Sequence, residues 1–177
     1  MTKFLSLFSI LIPTLSAQSC IPPNIDQGLP WVYGSTAWFS RVPIQIQFKD
    51  AEFYCNNLGD GISLAKIYNY IDNNAVASVL NGIDRGWIAG FSNNTFTDSD
   101  DDSNEKIWYW LDYSKEDVFG DEVIEYFEWD EKNGQPVISD ENNCIGYYGP
   151  VDVSGSYKKW FAGDCSKYNF AVCEYRC

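Results

Sequence analysis

Six cysteines, Cys20, Cys55, Cys144, Cys165, Cys173 and Cys177, constrain this 177-residue chain more than any other feature. None lies in a C-x-x-C pair, and the chain contains no histidine. Histidine-based zinc sites and Ser-His or Cys-His catalysis are therefore excluded within the chain. An even set of thiols reads as a disulfide framework where the compartment is oxidising, with a pairing that the count alone leaves open.

The N-terminus supplies the compartment. Residues 1–19, MTKFLSLFSILIPTLSAQS, set one cation at Lys3 before an apolar run from Phe4 to Ile12, then Pro13 and small residues around Ser16 and Ala17. That is the order of a secretory signal, and the run falls short of the roughly 20 residues that span a bilayer. The expectation is a leader cleaved between Ser16 and Ser19. Residues 20–177 are then expected to form one secreted, extracellular domain with no membrane insertion. Without Lys3, 11 basic residues face 25 acidic ones, a net charge of −14. Such a surface repels phosphate backbones and anionic membranes, so nucleic acid is not an expected partner.

Periodicity then places the elements. In FKDAEFYCNNLGDG, Phe48, Ala51, Cys55 and Leu58 recur at helical spacing, and Gly59 and Gly61 come after them as stops. Cys55 thus lies on a buried face, and its partner must come from the core. A second helix fits NYIDNNAVASVLNG, with Asn69 as N-cap and Gly82 beyond its end. Beyond it the texture changes to short aromatic or β-branched runs: GWIAGF (86–91), KIWYW (106–110), CIGYY (144–148), KKWF (158–161) and NFAVCEY (169–175). WVYGSTAWF (31–39) is a further strand near the N-terminus. Two helices before a run of strands predict an α+β fold with a mostly antiparallel sheet. Residues 91–105 read as a polar, acidic connection, and 111–143 as a long loop without a convincing period.

The order of these pieces resembles the C-type lectin-like domains. DAEFYC matches the family's first helix and its cysteine, ISLAKI the link into the second helix, and GWIAGF its Trp-Ile-Gly-Leu strand. WYWLDYS, YFEW…NGQP, NNCIGY, KKWFAGDC and FAVCEY continue in register, so that the match runs from about Asp50 to Glu174. The resemblance implies two helices packed on short antiparallel sheets, a long loop region and disulfide staples. It implies the pairs Cys55 with Cys173 and Cys144 with Cys165, which leaves Cys20 and Cys177 to clasp the chain ends.

The resemblance also implies where a ligand would sit. Sugar-binding members build a calcium site from a Glu-Pro-Asn or Gln-Pro-Asp tripeptide, a Glu before the third conserved cysteine, and an Asn-Asp pair after a strand Trp. Here Gln135 and Pro136 match, but Val137 stands where a side-chain oxygen is needed. Asn142 takes the usual Glu position, with Glu141 displaced by one, and Phe161 and Ala162 replace the Asn-Asp pair. Asp164 is two residues away, roughly 6–7 Å along an extended segment. Calcium takes six to eight oxygens, so neither a metal nor any other cofactor is expected. Asp140 to Asn143 reads as a turn; the resemblance leaves a cis bond at Pro136 open, as in the calcium-binding members, but without an ion nothing obvious favours that isomer. The candidate ligand contacts are Gln135, Pro136, Glu141, Asn142, Asn143, Tyr147 and Tyr148. Tyr113 and Tyr126 are further candidates, because a phenol tolerates a wet surface.

Other features carry less. DSDDDSNE (98–105) lacks the glycine and terminal Glu of an EF-hand loop and reads as a solvated acidic run. Asn93-Asn94-Thr95 is a glycosylation sequon on a predicted loop. Trp87, Trp108, Trp110, Trp129 and Trp160 are first of all core. The function this predicts is a binding module for a glycan or protein ligand without the usual calcium chemistry, with a defence role among its uses. The rival is an inhibitor-like or toxin-like interaction protein of the same fold. Catalysis by carboxylate pairs such as Glu125 with Glu128, or Asp130 with Glu131, is not expected, because nothing sets them across a cleft.

Overall fold

The computed structural model describes residues 21, 28–82, 84–92, 106–111, 122–137, 139, 141–149 and 157–176. Cys20, Cys177, the leader, Asn93, residues 98–105, Tyr113 and Asp140 lie outside them. Among the described residues the chain forms two helices and nine strands in one sheet.

The first strands, β1 (Val32–Tyr33) and β2 (Ala37–Gln47), form a hairpin closed at Gly34, whose N–H donates to the Ala37 carbonyl at 2.8 Å. β2 runs well past the expected stretch. It pairs antiparallel with β9 (Tyr168–Arg176), from Ala37 opposite Arg176 to Gln47 opposite Tyr168. The ladder breaks between Arg41 and Gln45. Pro43 falls in that gap, where a residue without an N–H costs no rung.

Helix α1 (Phe48–Asn56) begins where β2 ends and buries Phe48, Ala51, Glu52 and Cys55. Cys55 is bonded to Cys173 on β9 across 118 residues. In the chain-entropy model a closure of that size contributes about 5 kcal/mol. Between the helices, β3 (Ile62–Leu64) also pairs with β9. Its Leu64 N–H donates to the buried Glu52 carboxylate at 2.6 Å, which ties α1 to the sheet edge.

Helix α2 (Tyr70–Val79) begins as its sequence demands: the Asn69 side chain accepts from the N–H groups of Ile71 and Asp72. The strands beyond it are β4 (Arg85–Ser92), β5 (Trp108–Trp110), β6 (Glu122–Val123), β7 (Asn142–Tyr148) and β8 (Trp160–Asp164). Their pairings are antiparallel except that β4 runs parallel to β9 at Gly86 and Trp87. Asn73 of α2 holds helix and sheet together. Its carbonyl accepts from the Tyr147 hydroxyl at 2.8 Å and its side-chain oxygen from the Trp160 indole at 2.9 Å.

Trp87, Trp110 and Trp160 are fully buried, in keeping with a core role for the strand tryptophans. The second disulfide, Cys144–Cys165, joins β7 to the turn after β8 across 21 residues. It closes a shorter loop, about 3 kcal/mol in the same model.

Candidate functional site

The implied ligand locus is assembled where the tail of the long loop meets β8 and the start of β7. A short 3-10 turn at Glu131–Asn133 ends on Gly134, which adopts φ +75°, a left-handed conformation that favours glycine. The Asp130 carbonyl accepts from the N–H groups of Asn133 and Gln135, at 2.9 and 3.1 Å. Backbone bonds join this segment to β8: Trp160 N–H to the Glu128 carbonyl, and Asp130 N–H to the Trp160 carbonyl. The next X-Pro bond, Gln135–Pro136, is cis, against the expectation drawn from the incomplete metal pattern.

Gln135 does not offer its side-chain oxygen outward. Its Oε1 accepts from the Ala162 N–H at 2.9 Å and from the Val137 N–H at 3.2 Å. The first of these bonds links the loop directly to the strand that would carry the Asn-Asp pair of the calcium-binding pattern. Asn142 and Asn143 lie at the start of β7, and Asn142 is opposite Asp164 on β8. Here the oxygens are taken by a cation of the chain itself. The Lys106 ammonium donates to the Ser139 carbonyl, to the Asn143 side-chain oxygen at 2.7 Å and to the Asn142 carbonyl at 3.4 Å. Asp164 is spent on the adjoining turn. Its carboxylate accepts from the Ser166 N–H at 2.8 Å, and bonds from Ser166 hold its pKa below the ordinary aspartate value.

Phe161 completes the closure. It is 7% exposed, and its ring lies across Gly146 on β7, packed 4.7 Å from the Tyr148 ring. A Cβ on Gly146 would fall 2.0 Å from Phe161 Cζ, so glycine is required for that approach. The position that the calcium-binding pattern gives to an oxygen ligand has become core.

Whether calcium fits these residues can be judged from the donor set. Val137, Phe161 and Ala162 bring no side-chain oxygen, Gln135 Oε1 holds two amides, and Asn143 Oδ1 faces an ammonium. Among the described residues no group of three or more acidic or thiol side chains converges on one point. This donor set, among the described residues, falls well short of six to eight oxygens and is a poor fit to the ion.

One ligand candidate read from the sequence, Tyr147, is corrected. Tyr147 is 0% exposed and its hydroxyl is bonded to Asn73. Tyr148 is half-buried, with the Arg85 guanidinium 5.1 Å from its ring centroid. β7 is covered on both faces from Cys144 to Tyr147, so alternation along the strand does not bring one face to water. Of the remaining candidates, Gln135 is tied to β8, Asn142 and Asn143 are held by Lys106 at the start of β7, Glu141 is exposed, and Pro136 lies next to Gln135.

Sequence reasoning missed a groove beside this locus. It has a volume of about 360 Å³ and is lined by Phe127, Glu128, Trp129, Asp130, Glu131, Lys132 and Lys159. Phe127 and Trp129 stack at 5.6 Å with an interplanar angle of 18°. Trp129 is propped from beneath by Trp108 at 5.0 Å and Trp160 at 6.0 Å. Phe127 is 37% exposed, so its outer face meets solvent. Glu128 accepts from Lys159 at 2.6 Å and from the Tyr126 hydroxyl at 3.0 Å, and Asp130 accepts from the Asn133 amide. These carboxylates are committed to structural partners, a poor starting point for acid–base work. The YFEW string, with aromatics at 126, 127 and 129, was the signal that could have located the groove.

Residues 44–175 match the family model described as Lectin C-type domain. A curated relative, the C-type lectin lectoxin-Enh4 of Pseudoferania polylepis, is 23% identical over 148 residues, covering 79% of this chain and 82% of its own. The C-type lectin domain of murine dendritic cell inhibitory receptor 2, solved in complex with N-glycan, superposes with a TM-score of 0.60 at 16% identity. That alignment covers 83% of this chain and 96% of the receptor domain. A calcium-independent type II antifreeze protein superposes with a TM-score of 0.55 at 17% identity, over 84% of this chain and 95% of its own. At these identities the superpositions establish a shared fold.

Proposed function

The chain belongs to the C-type lectin domain family, and from that premise we propose that it is an extracellular binding module that engages a carbohydrate ligand without calcium. The observation that carries this reading is the bond from the Ala162 N–H to Gln135 Oε1, with Lys106 seated in the adjacent oxygens. Loop and strand are held together by the chain's own amide and ammonium groups, so no ion is needed to form the ligand-facing surface. The contact surface is then the Phe127–Trp129 groove. There a flat, rigid ring pair can receive the apolar face of a sugar, and Glu131, Lys132 and Lys159 stand at the rim for its hydroxyls. Extracellular placement rests on the leader-like N-terminus and on two disulfides, which persist in oxidising compartments. Glycosylation at Asn93 and a defence role belong to the same reading; secretion measured after microbial challenge tests the latter.

A glycan array read with and without chelator tests the proposal. Binding that survives chelator and is lost in Phe127→Ala is expected. Binding abolished by chelator overturns it. The burial of Tyr147 and Phe161 favours a second reading, a protein-interaction member of the fold, for which the array would stay empty.

A further inference from the structure

We propose that a second groove, lined in part by residues 122–126, receives an arginine side chain of a basic protein partner. The groove has a volume of about 470 Å³ and is lined by Tyr68, Trp110, Glu122, Val123, Glu125 and Tyr126. Three aromatic rings and two carboxylates share one open cavity. Ring faces attract cations through their quadrupole, and a planar guanidinium can stack on a ring while bonding a carboxylate.

The chain's own cations already use this wall. Lys66 Nζ lies 3.3 Å from Glu122 Oε2, and the Tyr68 hydroxyl donates to the same oxygen at 3.1 Å. The Arg176 guanidinium sits 4.7 Å from the Tyr68 ring centroid and is paired with the buried Glu174. With Glu122 answered by Lys66 and Glu174 by Arg176, Glu125 is the carboxylate left over. It is exposed and makes no hydrogen bond or ion pair among the described residues. Beside it, the Tyr126 hydroxyl is engaged by Glu128, which leaves its ring to face the cavity. Burial first, and then Glu122 for Tyr68 and Glu128 for Tyr126, holds both phenols above the ordinary tyrosine value. The whole chain, at a net charge of −13, draws a basic partner toward it. This site does not rest on the carbohydrate reading, because its lining shares no residue with the Phe127–Trp129 groove.

The test is a titration of the folded protein with a blocked Gly-Arg-Gly peptide, set against the same peptide carrying neutral citrulline. The arginine peptide should bind saturably, and the citrulline peptide at least about 5-fold more weakly. Glu125→Gln, with melting behaviour retained, and Tyr126→Leu should each weaken arginine binding about 3- to 5-fold. Asp60→Asn, on the exposed turn between α1 and β3, should leave it unchanged. Equal affinity for the two peptides, no saturable binding, or an Asp60→Asn effect as large as that of Glu125→Gln would each overturn the assignment.

Discussion

Replacing Lys106 with methionine keeps most of the aliphatic stem and removes the ammonium. Three acceptors lose their donor: the carbonyls of Ser139 and Asn142 and the side-chain oxygen of Asn143. A hydrogen bond to a charged group contributes about 1.5–3 kcal/mol. Lys106 is only partly buried, so water recovers part of the loss at each oxygen. A total destabilisation of about 2 kcal/mol is expected. For a domain of this size that lowers Tm by about 4–8 °C. Thermal melts monitored by circular dichroism would measure it, with Lys49→Met, an exposed lysine on α1, as the control expected to stay within about 0.5 kcal/mol. If Lys106→Met melted together with the control, the ammonium would not be what secures the start of β7, and the internal-cation reading would fail.

Gly146→Ala would drive a methyl into the Phe161 ring, at 2.0 Å from Cζ in the unrelaxed structure. Overpacking of this kind costs about 1–3 kcal/mol, to be read as a lowered urea midpoint; an unchanged midpoint would mean Phe161 is not held there. Glu52 gives a pH signature. Burial, its largest influence, raises its pKa above 4.5, against the lowering pull of the Leu64 N–H, Asn56 and Lys66. The folded chain therefore binds this proton more tightly than the unfolded chain. The stability it contributes is fully present below the ordinary glutamate range and is lost as pH rises through the raised value. Urea denaturation at stepped pH should show that decline, and Glu52→Gln should flatten it.

The parts of the fold written in local pattern were legible in the sequence. Helical spacing put Cys55 on a buried face, and Asn69 announced the start of α2 through its side-chain oxygen. The tryptophans Trp87, Trp110 and Trp160 read correctly as core because alternation in aromatic strands is a packing signal. Tyr147 was misjudged for a physical reason. A phenol tolerates a wet surface, but β7 is covered on both faces from Cys144 to Tyr147. Lys106 was illegible because its partners lie 33 to 37 residues away, and nothing local distinguishes a lysine beside an acidic run from a solvated one. The departures from the metal pattern at Val137, Phe161 and Ala162 were visible residue by residue. What replaced the metal, an amide bond at Gln135 and a ring folded over Gly146, required the long-range pairing of β7 with β8.

The most direct measurement is Tm across a calcium titration, beginning in chelator. If the chain's own amide and ammonium occupy the locus, Tm should not move as calcium is added. An intact site saturated at 100 times its Kd would add about 2.7 kcal/mol by mass action, a rise of roughly 5–11 °C. A saturable rise of that size, abolished by Gln135→Ala, would show that an ion sits where the loop and β8 are held here to close on each other.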